Sequence, residues 1–237
     1  MPSATIHKLS ASKVGEQQSF IERFHKLLDL EVDPSVTLTN IYKEIPITHS
    51  AKIIMVRGSH IELLTSELQL AAISQCKEVY IRSPHFDRPV LGQLDSIDIR
   101  LNTVRLSNFS DAEADEDKRK SVRVRFRRPI SIIMHSAANK ISGVIHDISL
   151  GGCCVSTLVG KEMGESDDVR IELKLLDHAT DQIRCMEISS LLFRIHGEVP
   201  PFKCALSFQH TPQSEQFLSV FINQRQREIL KELREAL

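Results

Sequence analysis

Near the N-terminus the apolar positions recur with helical spacing. In residues 17–30, QQSFIERFHKLLDL, the side chains of Phe20, Ile21, Phe24, Leu27 and Leu28 fall on one helical face. His25 lies beside that stripe and reads as a helix-surface residue. Residues 1–15 are polar and mixed and read as a loose arm. The period then shortens to two. Runs rich in Val, Ile and Thr follow at VTLTNIY (36–42), AKIIMVR (51–57), HIELLT (60–65), EVYIRS (78–83) and SIDIRLNTVRL (96–106), bounded by Pro, Gly, Asp and Ser. In the last run Ile97, Ile99 and Leu101 alternate with Asp98, Arg100 and Asn102, the pattern of a half-buried strand. Gly58-Ser59 separates two runs and predicts a hairpin turn. Several strands with one clear helix predict a small β-barrel or sandwich.

The patterning then breaks. DAEADED (111–117) holds five acidic residues and KRKSVRVRFRR (118–128) holds seven basic ones. Opposed charge runs without a core period predict a linker. The expected division is an N-terminal domain over 1–112, a linker over 113–123 and a second domain over 118–237. Strand patterns resume at PISIIMH (129–135), KISGVIHDIS (140–149), GCCVST (152–157), DVRIELKLL (168–176), QIRCMEISSLLFRI (182–195) and FKCALSFQ (202–209). Residues 213–237 return to helical spacing through Phe217, Phe221, Ile229, Leu230 and Leu233.

Composition narrows the function. At 237 residues and 41% apolar content the chain suits one large or two small domains. With 30 basic and 31 acidic residues, it is neither a uniformly basic nucleic-acid coat nor an acidic solvating chain. No apolar run reaches the roughly 20 residues of a membrane span, and no secretory h-region is visible at the N-terminus. The cysteines (Cys76, Cys153, Cys154, Cys185, Cys204) are odd in number and lack a C-x-x-C spacing, which predicts reduced thiols in a cytoplasmic protein. Trp is absent and Tyr occurs twice, which argues against an aromatic base-stacking platform. The histidines show no metal-ligand spacing, and no P-loop, dinucleotide fingerprint, nucleophile elbow or H-E-x-x-H occurs. The expectation is therefore no catalysis, no metal and no cofactor.

One constellation stands out. Arg119 and Arg123 form R-x-x-x-R, and Asp147, Ser149, Gly151 and Gly152 form D-x-S-x-G-G in DISLGG. Alone, the arginines read as a solvated face and the second motif as a hairpin turn. Their conjunction, in this order and in a strand-rich stretch, is far more specific. Residues 116–215 resemble a PilZ domain, the bacterial receptor for the second messenger cyclic di-GMP. Arg119-Lys120-Ser121-Val122-Arg123 and Asp147-Ile148-Ser149-Leu150-Gly151-Gly152 carry the resemblance. CALSFQH (204–210) resembles the family's closing strand, with Ala205 where glycine is common. In layout and size the N-terminal half resembles the flagellar-brake type of PilZ protein.

The resemblance implies a mainly β chain of two small β-barrels, a split barrel plus a six-stranded PilZ barrel, with an N-terminal and a C-terminal helix. It implies cyclic di-GMP contacts at Arg119, Arg123, Asp147, Ser149, Gly151 and Gly152, with Lys118 and Lys120 as additional candidates. The chemistry is consistent. An arginine fork bonds guanine O6 and N7 or clamps phosphate oxygens, a carboxylate accepts from guanine N1–H and N2–H, and a hydroxyl donates or accepts. Arg125, Arg127 and Arg128 read as surface charges more than as an extension of that site. The expected protein is a receptor whose ligand orders the linker and changes the inter-domain arrangement. Its output would pass through an unidentified protein effector to motility or biofilm, without nucleic acid or membrane insertion. Self-association through the N-terminal domain as a homodimer follows by analogy. The rival readings are a PilZ-like scaffold that no longer binds nucleotide and a nucleic-acid binder through 118–128, the latter opposed by the acidic run.

Overall fold

The structure is a computed structural model that describes residues 4–29, 34–112, 121–136, 139–159, 167–177 and 182–237. The chain forms two compact units, drawn chiefly from residues up to 118 and from 119 to 231.

In the first unit α1 (Ala4–Asp29) precedes β1 (Ser35–Tyr42), β2 (Ile45–Arg57), β3 (His60–Leu64), α2 (Glu67–Cys76), β4 (Glu78–Arg82), β5 (Val90–Asp98) and β6 (Thr103–Asp111). The strands close into a barrel in the order β1-β2-β3-β6-β5-β4. The predicted helical face is the buried one: Phe20, Ile21, Phe24 and Leu27 join the core. The Phe24 ring packs edge-on against Phe86 at 5.3 Å and tilted against Phe109 at 5.1 Å. Gln17 fixes the helix to β6, its Oε1 accepting from the Phe109 amide at 2.8 Å and its Nε2 donating to the Phe109 carbonyl. That clamp serves a bulge, for β6 slips register against β5 between Ser107 and Ser110 and Asn108 has a positive φ of 51°.

Three expectations need correction here. The polar arm is helical from Ala4 onward, a single element continuous with the amphipathic stretch. The run 96–106 is two strands and a turn: the Asp98 carboxylate accepts from the Arg100 and Leu101 amides at 2.9 and 3.2 Å, and Asn102 adopts a φ of 55°. Ile99 and Leu101 are accordingly exposed. A second helix, α2, was not expected. Ser66 caps it by accepting from the Gln69 amide at 3.3 Å, and Lys77 ends it in the left-handed conformation.

The second unit holds β7 (Arg123–His135), β8 (Lys140–Ser149), β9 (Gly152–Thr157), β10 (Asp168–Asp177), β11 (Gln182–His196), β12 (Phe202–Gln209) and α3 (Pro212–Arg234). These strands close in the order β10-β11-β12-β9-β8-β7. Val124, Ile132, Met134, Ile145, Ile148, Val155, Leu173 and Leu192 fill the core. The two-barrel, mainly β architecture with N- and C-terminal helices is thus present. The basic run is not all linker, because residues 123–128 begin β7 and Val124 and Phe126 are buried between outward arginines. Alternation of charge with Val and Phe is a half-buried strand whatever its net charge. Helix α3 covers this stretch of β7. Phe221 packs on Phe126 at 5.8 Å, and the buried Arg225 donates from Nε to the Arg125 carbonyl at 3.0 Å while its Nη1 meets Glu228 at 3.0 Å. No helix among the described residues is long and apolar enough to cross a membrane.

Candidate functional site

β7 and β8 pair antiparallel with Arg123 opposite Ser149 and Arg125 opposite Asp147. Arg123 and Asp147 are therefore diagonal neighbours, close enough for long side chains to meet. The Arg123 Nη1 lies 3.8 Å from the Asp147 Oδ1. A bulge brings Asp147 to that place. Ile145 pairs with Val155 and Ile148 with Cys153, so two residues of β8 stand opposite Cys154 alone. Ile145 and Ile148 both face the core, which leaves His146 and Asp147 together on the outer face. The adjacent Cys153 and Cys154 do alternate, the first buried and the second half-buried. Burial pushes the Cys153 thiol well up, and the neighbouring Cys154 and Asp147 add to that.

The turn between β8 and β9 consists of Leu150 and Gly151. Ser149 is buried, and its hydroxyl donates to the Gly152 carbonyl at 3.1 Å. The Gly151 carbonyl accepts from the Phe208 amide at 3.1 Å, which ties the turn to β12. Each glycine has its own reason. Gly152 has a φ of +153°, and a Cβ there would fall on the Leu206 carbonyl. At Gly151 a Cβ would stand 3.3 Å from the Ser121 Oγ, so the bare backbone lets the segment entering β7 pass over the turn. Ser121 lies inside the R-x-x-x-R motif, and its contact brings that motif and D-x-S-x-G-G together. Arg123 sits in a strand and not on a free linker. Arg119, Lys118 and Lys120 lie outside the described residues.

The result is an open, partly charged surface. Arg123 keeps 40% of its side chain exposed and Asp147 19%, and the Asp147 Oδ1 that faces Arg123 is itself buried. A separate groove of about 720 Å³ on the same barrel, lined by Ser131, Ile133, Ser142, Val144, Glu172 and Lys174, shares none of these residues. Among the described residues no group of three or more His, Cys, Asp or Glu is placed to hold a metal. The bulge and Ser121 are the contributions that motif spacing did not indicate. The bulge had a signal: interior positions shift from odd numbers (141, 143, 145) to the even number 148 along β8.

Residues 117–189 match the sequence profile of the PilZ domain. Among curated proteins none matches the chain. The solved structures similar to it include the following three. The inhibitor of motility MotI (DgrA) of Bacillus subtilis is 14% identical, over 82% of this chain and 96% of that one, with a TM-score of 0.41. YcgR of Escherichia coli, in complex with c-di-GMP, is 16% identical over 93% and 94%, with a TM-score of 0.42. MrkH of K. pneumonia, also in complex with c-di-GMP, is 12% identical over 95% and 97%, with a TM-score of 0.38.

Proposed function

We propose that the protein is a non-catalytic cyclic di-GMP receptor whose second barrel carries the ligand surface. The observation that supports it most is the convergence of Arg123, Asp147 and the Gly151-Gly152 turn on one face, within the segment that matches the PilZ domain. The ligand offers two phosphates and two guanines. The Arg123 guanidinium supplies a planar fork for a guanine edge or a phosphate, and the Asp147 carboxylate accepts from guanine N1–H and N2–H. Arg119, four residues earlier, is a second arginine contact to the ligand, with Lys118 and Lys120 adding positive charge. Ser149 acts through the turn it holds, and the glycines allow close approach. In the free protein the Arg123–Asp147 ion pair fills part of this surface, and the ligand takes over both partners.

Occupancy shifts the arrangement of the two domains. The change is read by a protein partner, with motility or biofilm as the output. Titration calorimetry with cyclic di-GMP, with GTP and cyclic AMP as controls, tests the reading. Saturable binding of cyclic di-GMP alone is expected, unaffected by excess unrelated DNA. Absence of heat up to about 100 μM ligand, an affinity weaker than roughly −5.5 kcal/mol, refutes it and leaves a scaffold.

A further inference from the structure

We propose that His210 is a positioning residue of this surface, locking the orientation of the Leu150–Gly151 peptide; the proposal rests on the cyclic di-GMP reading. Three successive carbonyls of the turn are held from within the protein. Gly152 is held by the Ser149 hydroxyl and Gly151 by the Phe208 amide. Among the described residues Leu150 is held by His210 alone, through Nε2 at 2.6 Å. A carbonyl can only accept, so Nε2 carries the proton. The ring is itself fixed. It packs edge-on against Phe208 at 5.6 Å, and its Nδ1 lies 3.3 Å from Ser214 Oγ in the first turn of α3.

The peptide between Leu150 and Gly151 is the central one of the four-residue turn from Ser149 to Gly152. Because a peptide is planar and trans, a Leu150 carbonyl aimed at His210 aims the Gly151 amide N–H away from it. Neither Leu150 nor Gly151 has a positive φ, which excludes the type II arrangement. Flipping this peptide gives type II and needs a positive φ at position 151, which glycine permits. The flip would exchange an outward donor for an outward carbonyl, the wrong polarity beside an anionic dinucleotide. The sequence at 151 leaves the choice open, and His210 makes it. Since His210 joins β12 to α3, the same bond ties the start of that helix to the turn.

The test compares wild type, His210→Ala and His210→Gln by titration with cyclic di-GMP. The Gly151 amide signal is followed in parallel on ¹⁵N-glycine-labelled full-length protein without ligand. Loss of one neutral hydrogen bond predicts about 3- to 10-fold weaker binding for His210→Ala. The Gln variant keeps a donor within reach and is expected within about twofold of wild type. The Gly151 signal should move or broaden in the Ala variant and return in the Gln variant. Unchanged affinity in His210→Ala, an unchanged Gly151 signal, or a Gln variant as weak as Ala each overturns the proposal. If wild type binds no cyclic di-GMP, the receptor reading fails on that titration, and the Gly151 signal alone decides whether His210 orients the turn.

Discussion

Gly152→Ala tests the construction of the turn in isolation. A Cβ at this position falls on the backbone carbonyl of Leu206, so no rotamer change relieves it. Either β9 or β12 must move where Gly152 and Ser207 pair. The backbone strain at a φ of +153° costs about 1–3 kcal/mol for a residue with a side chain. Loosening two ladder hydrogen bonds adds about 0.5–1.5 kcal/mol each. The sum is about 2–6 kcal/mol, a large share of a domain's roughly 5–15 kcal/mol of stability. The neighbouring Gly151→Ala is the control. Among the described residues its Cβ meets only the Ser121 and Ser149 hydroxyl oxygens, at 3.3 and 3.9 Å, and its φ is not positive. It should cost less than about 1 kcal/mol. Urea denaturation followed by far-ultraviolet circular dichroism measures both variants, the chain having no Trp to report by fluorescence. A Gly152→Ala protein as stable as wild type, or a Gly151→Ala protein less stable than Gly152→Ala, would refute this account of the turn.

In the first unit, Gln17→Ala leaves the Phe109 amide and carbonyl of the β6 bulge without their side-chain partner, and a loss of about 1–3 kcal/mol is expected. Gln18→Ala, exposed on the same helix, should be neutral; equal losses in the two would show that the clamp is inert. Thiol labelling of the native protein should mark Cys185 first, because it is exposed, and Cys153 and Cys204 last, because they are buried. Desolvation and the Glu172 carboxylate 3.4 Å away push the Cys185 thiol up, so its labelling rate should climb with pH beyond the ordinary thiol range. Burial pushes Cys204 up to about 11. A raised thiol stabilises the fold while protonated, so its contribution is complete at neutral pH and declines as pH rises through that value. Native-state labelling of Cys153 or Cys204 as fast as Cys185 would contradict the burial.

Much of the fold was legible because period-2 and period-3.6 patterns follow directly from which face each element buries. β8, β9 and β12 have the same limits in sequence and structure, since charged or turn residues bound each of them. The failures have local causes. The Ile99–Leu101 alternation mimics a strand, but the Asp98 carboxylate captures two successive amides and turns the chain. Helix α2 has little amphipathic contrast because Leu70, Ala71, Ala72 and Ile73 are all buried; its readable mark was the S-x-x-Q cap of Ser66 and Gln69. The arginines of 123–128 hide a strand because their charge masks the alternation of the buried Val124 and Phe126. At the site, the motif spacing indicated Arg123 and Asp147. Their approach depends on a bulge and a cross-strand register, and both emerge only when β7, β8 and β9 are paired.

The most direct test of the central claim is the cyclic di-GMP affinity of wild type and Arg123→Ala, measured side by side by calorimetry with thermal stability as a check on folding. Arg123 offers charge-assisted contacts worth about 1.5–3 kcal/mol, so the variant should bind roughly 10- to 150-fold more weakly. Its stability should barely change, because the ion pair with Asp147 is partly exposed. A folded Arg123→Ala protein that binds cyclic di-GMP as tightly as wild type would contradict the placement of the ligand at this surface.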